Sequence, residues 1–185
     1  MNYCANCGTS LNEKPPARCT NCGQFTHENP KPTAGALIVD GESRLLLVKR
    51  ASKPWKGRWD IPGGFCEKGE HPTATIVREI NEELGEEVVA DSFHGIYMDT
   101  YEEHGHTQST MNIIFTAHLT RGGAATLTSA DPNEIQDPTW FRKQDLPWDE
   151  LAFPRQITAI LRDWVASEPA PSEPTPGNST RQDDD

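Results

Sequence analysis

The run GFCEKGEHPTATIVREINEELGE, residues 64–86, sets six glutamates against two basic side chains, Lys68 and Arg78. Like charges four apart on a helix repel by about 0.2–0.5 kcal/mol per pair. Glu79 and Glu83 are such a pair, and Glu82 lies beside both. The segment nevertheless has the punctuation of a helix: Pro72 suits a first turn, TATIVREINEEL follows, and Gly85 suits the stop. At about 100° per residue, Glu79, Glu82 and Glu83 share one arc, with Val77, Ile80 and Leu84 opposite. A solvated acidic face is the ordinary alternative. Such faces interleave Lys or Arg at i+4, whereas Arg78 is the single basic residue between Thr73 and Glu87. The helix is therefore expected to bury one face and offer carboxylates on the other. Hard divalent cations such as Mg²⁺ or Mn²⁺ are the natural partners of such oxygens.

The rest of the chain gives that helix a setting. With 185 residues, 35% hydrophobic and 24% charged, it has room for one cored domain and a small appendage. Three zones emerge: 1–29, with four of the five cysteines; 30–167, with strand and helix patterns; and 168–185, EPAPSEPTPGNSTRQDDD, a Pro-rich acidic tail expected to be disordered. AGALIVD (34–40) and RLLLVKR (44–50) flank Gly41-Glu42 and read as a hairpin. Segments 87–101 and 110–119 read as strands separated by a polar loop holding His104 and His106, and a short strand is expected around Thr139–Arg142. RQITAILRDWVAS (155–167) reads as a helix with Ile157, Ile160, Leu161, Trp164 and Val165 on one face. Strands mixed with two helices predict an α/β/α layering.

No run approaches the length of apolar sequence that spans a bilayer, and MNYCANCG carries neither a basic segment nor an apolar signal core. A cytoplasmic protein with no membrane partner is expected. The net charge of −11 argues against non-selective binding to nucleic acid. A polyanionic substrate would have to arrive with cations.

Cys4-x-x-Cys7-Gly and Cys19-x-x-Cys22-Gly are two matched knuckles. That spacing suits a tetrahedral four-thiolate Zn²⁺ site, with the metal supplying folding free energy that so short a segment lacks. Disulfides do not suit a cytoplasmic chain, and a redox CxxC would not come as a pair. His27 is read as loop rather than ligand. With only Lys14, Arg18 and Lys31 nearby, the ribbon is expected to be structural or dimer-forming rather than a nucleic-acid reader.

The spacing Gly64, five residues, Glu70, seven residues, Arg78-Glu79-Ile80-Asn81-Glu82-Glu83-Leu84-Gly85 resembles the Nudix box, G-x5-E-x7-R-E-U-x-E-E-x-G-U, with U aliphatic. The one departure is Glu86 at the last position, beyond the metal-binding turn. Residues 28–65 behind the CxxCG pairs, and NEIQDPTWFRKQDLP (133–147), are also similar to Nudix hydrolases carrying an N-terminal zinc ribbon. The resemblance implies a Nudix α/β/α sandwich with a mixed sheet over 30–167, and a zinc ribbon over 1–29. It implies Mg²⁺- or Mn²⁺-dependent hydrolysis of a nucleoside diphosphate linked to another moiety. Glu79, Glu82, Glu83 and Gly64 would hold the cation, and Arg78 would orient the carboxylates through charge-assisted hydrogen bonds. Glu134 is the candidate loop carboxylate to take the proton of the attacking water. Glu70 is a structural partner or an outer ligand.

Substrate choice is less legible. The SQPWPFPxS-like motif of family members acting on NADH is absent after the box. The proline of many ADP-ribose-specific members is replaced by Tyr101, a residue reminiscent of dinucleoside polyphosphate hydrolases. Tyr97, Tyr101 and Arg50 are the candidates for holding substrate, with an ADP-ribose-like nucleotide as the leading expectation. Cys66 is read as a small packing residue, and Trp55 and Trp59 as cover for core edges. A nucleotide-sensing module without catalysis is the alternative, but sensors lose box carboxylates and this chain keeps them. A cap hydrolase gripping RNA through the ribbon is disfavoured by charge. A homodimer is compatible with the resemblance.

Overall fold

The computed structural model describes residues 3–103, 106–121 and 127–167. The acidic tail and His104 lie outside the described residues. In chain order the elements are β1 (Ala17–Arg18), β2 (Phe25–Thr26), β3 (Lys31–Ile38), β4 (Leu45–Arg50), β5 (Trp59–Asp60), β6 (Gly63–Phe65), α1 (Pro72–Leu84), β7 (Val88–Glu103), β8 (His106–Leu119), β9 (Ile135–Phe141) and α2 (Pro154–Ala166).

β1 and β2 pair antiparallel in the N-terminal cysteine region. A mixed four-stranded sheet runs β6-β3-β8-β7, with β3 parallel to β8 and the other pairs antiparallel. A second, antiparallel sheet runs β5-β4-β9. One core packs Ile38, Leu46 and Val48 against Ile76, Ile80 and Leu84 of α1. The other packs Leu37, Leu45 and Leu47 against Ile157, Ile160 and Leu161 of α2. The α/β/α layering and the mixed sheet agree with the sequence-based expectation.

β3 and β4 are not the expected hairpin. A single bridge, Val39 to Leu45, joins them beyond a turn in which the Asp40 carboxylate accepts from the Glu42 and Arg44 backbone N–H groups. The strands then part into different sheets. Their apolar runs do not alternate, and residues 34–38 and 45–48 are buried throughout. Strands covered on both faces need packing layers on each side, which a hairpin with one solvated face does not offer.

The expected polar loop between 101 and 110 is also replaced. β7 and β8 form one long antiparallel ladder from Val88–Leu119 to Glu103–His106, so the backbone of His106 belongs to a strand. Polar side chains in this stretch obscured strands whose backbone groups pair with each other. β9 starts at Ile135, ahead of the expected Thr139, and ends before Arg142. Asp137, with φ 48°, and Pro138 sit where the register with β4 shifts between Leu47 and Lys49. Such a bulge hides a strand from pattern reading.

α1 matches its expected bounds, with the His71 ring nitrogen accepting from the Thr73 N–H and Gly85 left-handed at φ 69°. Its buried stripe is Thr75, Ile76, Ile80, Glu83 and Leu84, whereas Val77 is 46% exposed. Val77 stands about 100° around the helix from Ile76, and the 76-80-84 row takes the core instead. On α2, Ile157, Ile160, Leu161 and Trp164 are buried, while Val165 keeps 36% of its surface exposed. Trp59 is a core residue, Trp55 stands exposed, and Cys66 packs against the α1-side core.

Candidate active site

The loop Gly63-Gly64 and the acidic side of α1 are built around each other. A Cβ on Gly63 would strike the backbone of Ala34 and Gly35, and one on Gly64 would strike the Glu79 carboxylate. Gly63 thus lets β6 pack closely on β3, and Gly64 lets it lie directly over the Glu79 carboxylate. The Gly63 N–H donates to Glu83 Oε2 at 3.3 Å.

Oxygens of Glu79, Glu83 and Glu134 all lie within 4.8 Å of one another. Glu83 is buried, Glu79 is partly so and Glu134 is exposed. Glu134 comes from the turn before β9, tied to the end of β4 by the Ala51 N–H donating to its carbonyl at 2.9 Å. Burial lifts the Glu83 carboxyl well above the ordinary range, and the charges of Glu79 and Asp60 add to the lift. Burial also raises Glu79, against the pull of Arg78. Glu79 and Glu83 are thus both raised, chiefly because burial penalises their charged forms, the condition a cation relieves.

Arg78 organises the rim. Its Nε and Nη2 form a fork on Glu70, at 3.0 and 3.1 Å, and its Nη1 donates to Glu79 at 2.9 Å and to Glu82 at 3.1 Å. Nη2 also reaches the Phe65 carbonyl at 3.1 Å. Glu70 additionally accepts from the Glu67 N–H and the Thr75 hydroxyl. The Arg78 fork, with those two donors, holds Glu70 down to about 2. Glu70 is therefore an anchor for Arg78. Glu82 belongs to the carboxylate face as expected, but its half-exposed side chain rests on Arg78, outside the tight trio.

A cleft opens beside the carboxylates, and the two share Arg50, Asp60, Gly63, Gly64, Phe65 and Tyr101 in their walls. Phe65 meets Tyr101 edge-on at 5.7 Å between ring centres, and Tyr101 meets Phe153 at 6.0 Å. Arg50 lies 5.1 Å above the Phe153 ring, donates to the Pro54 carbonyl at 2.7 Å, and pairs with Asp60 at 3.0 Å. Two of the three expected substrate residues, Tyr101 and Arg50, thus line the cleft. Tyr97 does not: its hydroxyl donates to Asp163 of α2 at 2.7 Å, and it packs into the α2-side core.

Sequence reading missed Asp60, whose buried carboxyl is raised by desolvation despite Arg50. The signal was a charge set between Trp59 and Ile61 in an otherwise apolar run. It also missed Phe65, Phe153 and the polar floor of Thr33, Thr110 and Asn112. Nothing in the local sequence marks those, because β3, β6, β8 and the start of α2 bring them together.

The four ribbon cysteines converge as expected, with Cys4–Cys22 and Cys7–Cys19 sulfurs 3.6 Å apart and all four within 4.8 Å. Tetrahedral thiolates at about 2.3 Å from Zn²⁺ stand about 3.8 Å apart, so the set fits that ion. Backbone N–H groups of Cys7 and Asn6 lower the Cys4 thiol, and the Thr9 side chain leads in bringing Cys7 down to about 6. Both effects favour the thiolates of Cys4 and Cys7, whereas at Cys19, despite the Cys22 backbone N–H, desolvation leaves the thiol raised.

The NUDIX domain profile matches residues 29–161. An ADP-ribose pyrophosphatase from Methanocaldococcus jannaschii is 31% identical over 129 residues, covering 69% of each chain. The NAD-capped RNA hydrolase NudC of Pseudomonas aeruginosa is 28% identical over 180 residues; the match takes in 93% of this chain and only 58% of that longer protein. A NUDIX hydrolase structure from Nitrosomonas europaea superposes with a TM-score of 0.67 at 27% identity, covering 88% of this chain and 89% of the other.

Proposed function

The chain belongs to the NUDIX hydrolase family, and from that premise we propose that it hydrolyses the pyrophosphate bond of a nucleoside diphosphate derivative, ADP-ribose-like in kind, with Mg²⁺ or Mn²⁺. The observation that carries the reading is the convergence of Glu79, Glu83 and Glu134 at the mouth of an aromatic-lined cleft. A divalent cation there supplies neutralisation of phosphate oxygens and a more acidic bound water. Glu79 and Glu83, with Glu82 at the rim and the Gly64 backbone beside them, would hold it. Arg78 keeps those carboxylates aimed while anchored on Glu70. Glu134, exposed and close to both, accepts the water's proton. Tyr101 and Arg50 hold the nucleotide in the cleft. The ribbon, residues 1–29, is a structural Zn²⁺ module.

A second reading, hydrolysis of the same bond in NAD-capped RNA, is favoured by the match to NudC, whose 93% coverage of this chain reaches into the ribbon. One panel separates them: ADP-ribose, NADH, dinucleoside polyphosphates and NAD-capped RNA, each with Mg²⁺ or Mn²⁺, with released nucleoside monophosphate measured. Turnover of free ADP-ribose in preference to capped RNA supports the first reading. Binding without turnover of any member replaces both with a nucleotide-sensing module.

A further inference from the structure

The polar floor of the cleft carries a fixed hydrogen-bond pattern. Asn112, 8% exposed, donates from Nδ2 to the Tyr97 carbonyl and to Thr110 Oγ1, each at 3.1 Å. A carbonyl only accepts, so Tyr97 fixes which way the amide faces. Asn112 Oδ1 must then point at Thr33, whose hydroxyl donates to it at 2.5 Å. Thr33 has spent its single proton and meets the cleft as an acceptor only. Thr110, 4% exposed, has spent a lone pair and keeps its proton. Among the described residues neither hydroxyl makes a further side-chain hydrogen bond, and both line the cleft.

We propose that this cleft takes an amino-substituted nucleobase, adenine, and that Thr33, its proton locked onto Asn112, is the residue that distinguishes adenine from a keto base. The inference rests on the cleft being the nucleotide site proposed above. Adenine presents an amino donor beside an unprotonated ring nitrogen. The amino group meets the acceptor Thr33, and the ring nitrogen meets the proton of Thr110, while the ring lies among Phe65, Tyr101 and Phe153. Hypoxanthine presents a carbonyl beside a ring N–H instead. Thr110 can rotate to accept from that N–H. Thr33 can donate to the carbonyl only by releasing Asn112 Oδ1, which leaves a buried amide oxygen unpaired. Asn112 is thus a positioning residue, acting through Thr33.

AMP and IMP differ in this one edge and have no pyrophosphate bond to cleave, so calorimetric titration of the full chain reads the discrimination apart from catalysis. AMP is expected to bind at least about tenfold more tightly than IMP. Thr33→Val should bring the ratio close to unity, and Thr33→Ser, which keeps the hydroxyl, should restore it. Equal affinities in the wild type, no binding of either nucleotide, or an undiminished ratio in Thr33→Val overturns the proposal. Cytosine carries the same edge on a smaller ring, so CMP should bind more weakly than AMP; tighter binding of CMP overturns the assignment to adenine. AMP preference without turnover of any panel member defeats the proposed hydrolysis alone. Turnover with equal AMP and IMP affinity defeats only the base assignment.

Discussion

Replacing Glu83 by Gln should stabilise the metal-free protein while disabling it. Glu83 is 6% exposed, with Glu79 and Glu134 oxygens within 4.8 Å. At the outer limit of that spacing a pair of like charges costs about 3.5 kcal/mol at an effective dielectric of ~20 and about 1 kcal/mol in bulk water. Glu79 is partly buried and Glu134 exposed, so the relief falls between these limits, about 1–3 kcal/mol. That corresponds to a Tm rise of about 3–10 °C for a chain of this size. The Gln carbonyl keeps the bond from the Gly63 N–H, and its amide can donate to the neighbouring carboxylates. The gain depends on pH with a definite sign. Glu83's folded pKa lies above its ordinary 4.5, so between the two values the native state holds a proton that the unfolded chain has released. Metal-free wild type therefore loses stability as pH rises from about 4.5 through the folded pKa. Glu83→Gln lacks that titration, and its advantage grows over the same window. Mg²⁺ should raise the wild-type Tm by mass action and leave the variant's nearly unchanged, with turnover down at least about 100-fold. Differential scanning calorimetry in EDTA and in Mg²⁺, across pH, reads all of this. A metal-free variant that melts at or below wild type at neutral pH, or one with an intact Mg²⁺ increment, would refute the reasoning.

Other substitutions divide the site's parts. Arg78→Lys cannot reproduce the fork on Glu70 while also reaching Glu79 and Glu82. Its turnover should fall about 10–100-fold and its half-saturating Mg²⁺ should rise; unchanged Mg²⁺ dependence would remove Arg78 from the positioning role. Tyr97→Phe loses the bond to Asp163, which should cost about 0.5–1.5 kcal/mol in unfolding free energy. Its kcat/KM should match wild type, and a large drop would return Tyr97 to the substrate site. Metal analysis should find one Zn²⁺ per chain, and Cys19→Ser should abolish it. Chelation should make Cys7 and Cys22, both exposed, reactive toward thiol reagents.

How much of this was legible in the sequence depends on how locally each feature is encoded. The α1 carboxylates could be read because the helix period, the missing counter-charges and the two glycines all fall within one short run. The splay of β3 from β4 was harder to read. Their turn residues were recognised correctly, but the unbroken apolar runs on either side already required two packed layers, and that requirement outweighs a turn signal. Thr33 and Asn112, separated by 79 positions and joined by the parallel pairing of β3 with β8, left no local trace at all.

Tyr97 and Tyr101 show the same limit within one strand. Four residues apart, they fall on one face by alternation, and the sequence reading treated them alike. A face does not have one environment along its length. β7 is 16 residues long, more than α2 covers, so Tyr97 meets Asp163 of that helix while Tyr101 passes its N-terminal end and meets Phe153 and Phe65. Where α2 begins is set by Phe153 in the left-handed conformation at φ 41° and by Pro154 after it. The assignment of one tyrosine to packing and the other to the cleft was therefore encoded more than fifty positions away, in the residues that start a different element.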